Sequence, residues 1–405
     1  MGVFFWFYSF FSLLFFLIFS NQIIGSGQDT NRLVCYVAMG LMGVFLGFFT
    51  ISQKKLFIPP VAKVSIALTI LAIGSAISNR QDQWQFYMSM YGVMFSLSMI
   101  FSANIMRSPL ISEKKFLDWV GFLLLCTFSL TFFSSATAED TQRYGIGINF
   151  YSVFGLPWIM LMKGWKRNLL FLMAIAIAVF SGKRSGIILV GMMPLLFLGY
   201  NVVFSGQKKS KSIVTGLFLG IAFLIALFFA DTLSDGALLE RFSGDALADG
   251  SGRGESLEAA ISTAHAMSLN EWLFGADELT MMRAIESGFV GHNDLLVYFL
   301  NNGLLGLGIY LLLPLTLCIR FIKLHVKKSS LASPYLCFVV SLGLLSMISM
   351  VYQPGPGSII WCMFAGWIEG LLHYRQTPSQ KIKNPFKNEN RNRIFGTPTL
   401  SQPRG

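Results

Sequence analysis

SIVTGLFLGIAFLIALFFA, residues 212–230, runs nineteen positions without a charge and stops at Asp231. At about 1.5 Å of rise per residue, a helix of that length crosses the ~30 Å hydrocarbon core of a bilayer. Beyond it the composition inverts. Between Asp231 and Asp294 lie twelve of the chain's twenty acidic residues and only three basic ones, Arg241, Arg253 and Arg283. Apolar sequence then resumes. The pattern is that of a membrane chain interrupted once by a long polar loop, 231–291.

Extending the same rule along the chain finds twelve apolar runs: 3–20, 33–51, 61–78, 84–106, 116–133, 148–162, 168–181, 186–204, 212–230, 294–319, 332–351 and 357–374. The sixth and seventh are short, so 148–181 is where an irregular or re-entrant piece would hide. The fold class is therefore an all-α polytopic membrane protein of about twelve transmembrane helices, with short helices in one large periplasmic loop. Helices 1–9 occupy 1–230 and helices 10–12 occupy 292–374, leaving a basic cytoplasmic tail at 375–405 that reads as disordered. Composition agrees: of the 405 residues 54% are hydrophobic and 13% charged, with mean hydropathy +0.60. Soluble domains carry about 25% charged residues. A soluble enzyme is excluded.

The net charge of +11 would suggest nucleic acid if the cations were gathered on one surface. They sit instead in short loops and in the tail, so no nucleic-acid partner is expected. With the N-terminus in the cytoplasm, 23 of the 31 basic residues fall on the inner side and eight outside. That bias puts both termini in the cytoplasm and the 231–291 loop in the periplasm. The five cysteines all lie in apolar runs, without CxxC or Cys/His spacing, and predict neither a disulfide nor zinc. The first run lacks a basic n-region and a cleavage site, and reads as a retained helix.

The eight outside cations are Arg32, Arg80, Arg143, Lys183, Arg184, Arg241, Arg253 and Arg283. The first three each have an acidic neighbour (Asp29, Asp82, Asp140) and read as helix-end anchors. Lys183 and Arg184, in Ser181-Gly182-Lys183-Arg184-Ser185-Gly186, have none. Two positive charges on a short outer turn oppose the topology bias, and either an anionic ligand or lipid headgroups would favour them. In the loop, Ser251-Gly252-Arg253-Gly254-Glu255 opens an amphipathic segment that spaces Leu257, Ile261 and Ala264 on one face and ends near Leu273-Phe274-Gly275. A glycine-rich turn entering a helix suits an anion. His292 stands at the mouth of the tenth run, with Asn293 or Asp294 placed to cap the helix. An interfacial imidazole there can take a proton or simply bond a loop carbonyl. Gly303 and Gly306, one turn apart, permit close approach of a neighbouring helix.

His292-Asn293, nine residues, Gly303, two residues, Gly306, closing a large outer loop, resembles the O-antigen polymerase/O-antigen ligase family. The Ser181–Gly186 element and Gly250-Ser251-Gly252-Arg253 are similar to its basic elements. The specific matches cover about thirty residues; the topology covers the whole chain. The resemblance implies a metal-independent membrane glycosyltransferase of the bacterial inner membrane, without a cofactor. Its donor would be an oligosaccharide on undecaprenyl diphosphate, with membrane lipids as surroundings and a chain-length regulator as a candidate protein partner. His292 would be the catalytic base and Arg184, Lys183 and Arg253 the diphosphate ligands, supported by Asn293, Arg241 and Arg283. His265, in the loop among apolar neighbours, is the rival base. No Asp-x-Asp metal motif occurs. A polymerase of O-antigen, capsule or exopolysaccharide units is the first expectation and a ligase onto lipid A-core the second. A lipid-linked oligosaccharide flippase or transporter is the third, disfavoured because Lys63, Asp118 and Glu369 all lie toward cytoplasmic helix ends.

Overall fold

A computed structural model describes residues 8–18, 29–52, 55–78, 83–105, 112–137, 154–180, 184–204, 209–233, 253–276, 278–287, 293–348 and 356–376. Every regular element among them is a helix. In chain order these are α1 (Tyr8–Ile18), α2 (Asp29–Ile51), α3 (Pro60–Ser78), α4 (Gln83–Ile105), α5 (Glu113–Thr137), α6 (Leu156–Leu161), α7 (Trp165–Phe180) and α8 (Arg184–Phe204). They continue as α9 (Lys209–Leu233), α10 (Arg253–Ala266), α11 (Leu269–Phe274), α12 (Glu278–Glu286), α13 (Asp294–Val326), α14 (Ala332–Ile348) and α15 (Pro356–Gln376). Residues 349–355 and the tail beyond Gln376 lie outside the described residues.

Two described helices are long and apolar enough to cross a membrane, Gly186–Phe204 and Asp294–Val326, with mean hydropathies of 2.2 and 2.0. Shorter apolar helices surround them, among them Pro60–Ser75, Ser89–Ile105 and Ala332–Met347. Several leave an apolar stripe uncovered. On α9, Val214, Leu217, Ile221, Leu224 and Phe228 are all more than half exposed, one helical face repeating every three or four residues. These features point to association with a membrane.

The core is organised on α4 and α15, which pack along their length, with α3 and α2 against the other side of α4. Close approach is set by Gly366 and Gly370, four residues apart on α15. A Cβ at Gly366 would strike the Met99 carbonyl and Ser102 Oγ, and one at Gly370 the Ala103 carbonyl. This is the small-xxx-small geometry by which helices associate without a hydrophobic driving force between them. Hydroxyls join α3 to α4, Ser65 Oγ lying 2.8 Å from Ser96 Oγ. A second group, α6 to α9 with α14, meets the first through α13, which packs on both α3 and α14.

An irregular piece does occur within 148–181, where the sequence leaves room for one. Of the sixth run, 148–162, the described residues form only the six-residue α6. That helix stops at Met162 (ψ 161°), and Gly164 (φ +68°) turns the chain into α7. Leu156–Met160 are buried in the core and Trp158 Nε1 donates to the Ile360 carbonyl at 3.0 Å. Of the described cysteines, all free thiols, Cys337 and Cys362 are buried, Cys126 is half-buried and Cys318 is exposed on α13. Of the charges read as helix-end exceptions, Asp118 and Glu369 are paired. Lys166 Nζ donates to Asp118 Oδ1 at 2.7 Å, and Arg320 holds the buried Glu369 with two hydrogen bonds.

Candidate functional site

The site lies where the polar loop meets α13. Helix assignment runs α13 unbroken for 33 residues, yet Gly303 inside it has φ 63° and ψ −161°, a conformation open essentially to glycine alone. Asp294 and Tyr310 are sixteen positions apart, about 24 Å on a straight helix. Tyr310 Oη nevertheless donates to Asp294 Oδ2 at 2.9 Å. The Tyr298 and Tyr310 rings stack at 4.6 Å between centroids, 18° from parallel. α13 therefore folds back on itself at Gly303: residues 294–302 form one arm and 304–326 the other.

Each described residue of the glycine-bearing motif has a place in this hairpin. Asn293 caps the first arm, its Oδ1 accepting from the backbone N–H of Leu295 (2.9 Å) and Leu296 (3.3 Å). Its Nδ2 donates to the Met347 carbonyl of α14 at 3.2 Å, fixing the start of the arm against the bundle. Gly306 faces the first arm, where a Cβ would press on the Tyr298 carbonyl and the Asn302 side chain. Asn302 Nδ2 also donates to Ser75 Oγ near the end of α3 at 2.8 Å. The close approach expected at Gly303 and Gly306 is thus real, but it is made by the chain's own preceding arm and by the loop, not by a neighbouring long helix.

The loop closes over the apex backbone to backbone. Gly275 (φ 110°) lies against the carbonyl of Asn301, Gly303 against that of Leu273, and the Ala276 N–H donates to the Leu300 carbonyl at 2.7 Å. Side chains on either glycine would prevent the contact. α11 is delimited by a capping box, Ser268 Oγ with the Glu271 N–H at 3.4 Å and Glu271 Oε2 with the Ser268 N–H at 2.8 Å. Thr280 Oγ1 donates to the other Glu271 oxygen at 2.8 Å and brings in the segment of α12. A small apolar cluster of Ala259, Ala260, Met267, Ala276, Ala284, Val297 and Leu300 joins loop helices to the first arm.

The expected single amphipathic helix after Arg253 is two helices, broken at Met267–Ser268 by that capping box. The side that packs on protein is a different one. Ser256, Ala259, Ala260, Thr263 and Met267 point inward, while Leu257 (47%) and Ile261 (49%) are exposed. Small side chains let α10 close against α12 and the first arm, which longer ones would hold apart.

Of the site residues read from sequence, Arg184 and Arg253 are the first residues of α8 and α10. Arg283 is exposed in the last turn of α12, and Asn293 is the cap just described. His292, Lys183 and Arg241, and the side chains of Arg184 and Arg253, lie outside the described residues. His265 is exposed in the last turn of α10. Sequence reasoning missed Asp294 and Tyr310. Asp294 is not a cap but wholly buried, held by Tyr310 between the arms. The available signal was an acid followed at once by a long apolar run, with a tyrosine in its second half. Among the described residues no group of three His, Cys, Asp or Glu is placed to hold a metal ion. The chain matches no protein-family model, and a comparison with curated proteins gives no match.

Proposed function

We propose that the chain is a multi-pass glycosyltransferase of the bacterial inner membrane that joins undecaprenyl-diphosphate-linked oligosaccharides at the periplasmic face. In this reading the chain crosses the membrane about twelve times, both termini are cytoplasmic, and residues 231–291 form the outer loop. The product is a polymer of repeat units, as in O-antigen, capsule or exopolysaccharide.

The chemistry follows from the residues. His292 takes the proton from the acceptor sugar hydroxyl. The hydroxyl oxygen bonds to the donor's anomeric carbon as the bond to the lipid diphosphate breaks, inverting that centre. The departing diphosphate carries the negative charge to Lys183, Arg184 and Arg253. No metal is required for this charge balance.

The observation that carries the reading is the hairpin in α13. The motif that bears the resemblance, His292-Asn293-x9-Gly303-x2-Gly306, coincides with the hairpin's construction: Asn293 starts it, Gly303 turns it and Gly306 lets its arms meet. The residue directly after His292 is tied to both the arm and α14, the anchoring a catalytic base needs. Arg184 and Arg253 both open helices, whose first N–H groups favour anions.

The test is substitution. His292→Ala and Arg184→Ala each abolish chain extension while membrane abundance stays unchanged, read by glycan gel electrophoresis and immunoblot. Full-length polymer from the His292→Ala protein would overturn the assignment. Deletion separates the two transferases: one repeat unit on the core means a polymerase, and unattached long glycan means a lipid A-core ligase.

One observation favours a carrier instead. A broken helix with a buried carboxylate, here Asp294, is how ion-coupled transporters build their sites. Asp294→Asn distinguishes them, since a carrier loses ion-driven uptake of its substrate whereas the transferase retains measurable sugar transfer.

A further inference from the structure

At the opposite end from the loop, the chain forms a groove between α5 and α7, both of which begin there, closed at its base by the turn that follows α6. Its volume is about 850 Å³. The lining divides by polarity along its length. Leu117, Phe122 and Leu125 of α5 face Leu169 and Leu170 of α7 across an apolar floor, with Gly121 beneath Met162. Lys114, Lys163 and Lys166 stand at the mouth with Glu113 and Asp118. Lys166 neutralises Asp118 through their 2.7 Å ion pair. That leaves Lys114 and Lys163 against the single carboxylate of Glu113, an excess of positive charge. Trp165, 70% exposed, sits on the rim, where an indole marks the headgroup level.

From Lys114 to Leu125 is eleven helical positions, about 17 Å, close to one leaflet of the hydrocarbon core. A charged mouth, an aromatic rim and an apolar floor of one leaflet's depth fit an amphiphile whose head is anionic and whose tail lies along the helices. We propose that the α5/α7 groove binds an anionic phospholipid of the cytoplasmic leaflet. The headgroup phosphate sits between Lys114 and Lys163, and an acyl chain lies over Phe122 and Leu125. This does not depend on the glycosyltransferase reading; it rests on α5 and α7 crossing the membrane with their first turns on the cytoplasmic side.

The experiment places the purified full chain in nanodiscs of phosphatidylcholine containing a minor fraction of brominated phosphatidylglycerol or brominated phosphatidylcholine. The quenching due to Trp165 is the difference between wild type and Trp165→Phe. Brominated phosphatidylglycerol is expected to quench it at roughly tenfold lower content than the zwitterionic lipid, since each juxtamembrane lysine favours anionic lipid several-fold. The preference falls to about unity in Lys114→Gln/Lys163→Gln. Native mass spectrometry of wild type from mixed nanodiscs reads the same preference without substitution, as retained phosphatidylglycerol. Equal quenching by both lipids, or displacement of the anionic lipid by inorganic phosphate, overturns the proposal. No quenching by either lipid overturns the membrane placement of α5 and α7 instead.

Discussion

Two glycine pairs show how differently one residue type can be used. Gly366 and Gly370 lie on a regular helix and serve only by lacking a side chain, so that α15 rests on the carbonyls of α4. Gly303 and Gly306 look almost the same in sequence, three apart where the others are four. Gly306 acts like the α15 pair, making room for the opposing arm. Gly303 adopts a backbone conformation closed to other residues and reverses the chain. The first pair brings two helices together; the second makes two arms out of one helix. Spacing alone does not tell them apart.

The largest expected effect breaks the comparison at Gly303. Gly303→Ala meets both a forbidden conformation and the Leu273 carbonyl, and should cost about 3 kcal/mol or more. Little folded protein is then expected by fluorescence-detected size exclusion. Asn should fare no better, because ψ −161° lies far from the left-handed region that asparagine tolerates. Gly370→Ala keeps an allowed backbone and need only push α15 away from α4, costing about 1–3 kcal/mol as overpacking. A folded protein with a lower melting temperature in detergent is expected. Equal harm from the two substitutions would mean that the glycine pairs do not differ in kind.

Smaller changes sharpen the contrast. Tyr310→Phe removes the hydrogen bond that ties Asp294 to the second arm and should cost about 1–3 kcal/mol. Protection of the 294–302 amides from hydrogen exchange should fall first, while the amides of α4 and α15 stay protected. Uniform loss across the protein would mean that the hairpin is no separate unit. The smallest effect belongs to Ser268→Ala, which opens the capping box and should cost about 1 kcal/mol. It should loosen α11 and leave the Gly366/Gly370 contact untouched.

Most of the architecture was legible in uncharged runs. The expected 33–51, 61–78 and 84–106 fall within a few residues of Asp29–Ile51, Pro60–Ser78 and Gln83–Ile105. Hydropathy sees length and polarity, so it registered 294–319 as one crossing; nothing in it reports that a glycine midway has turned the chain around. The side of α10 that packs on protein was not legible, for a related reason. Periodicity selects the large apolar residues Leu257 and Ile261, whereas packing here selected the small ones, Ala259 and Ala260. At the site, polarity and spacing singled out Asn293 but gave Asp294 the wrong role, because a carboxylate at a helix start reads as a cap until a distant tyrosine is known to reach it. The Gly366-x-x-x-Gly370 signal was present and went unused.

The bond from Asn293 to the Met347 carbonyl also imposes an order in time. Met347 is synthesised 54 residues after Asn293. At ~5–20 residues per second the ribosome needs about 3–10 s to deliver it. Throughout that interval the first arm of α13 exists without the helix that anchors it. The Asn293 anchor can form only after the chain has been extended through α14.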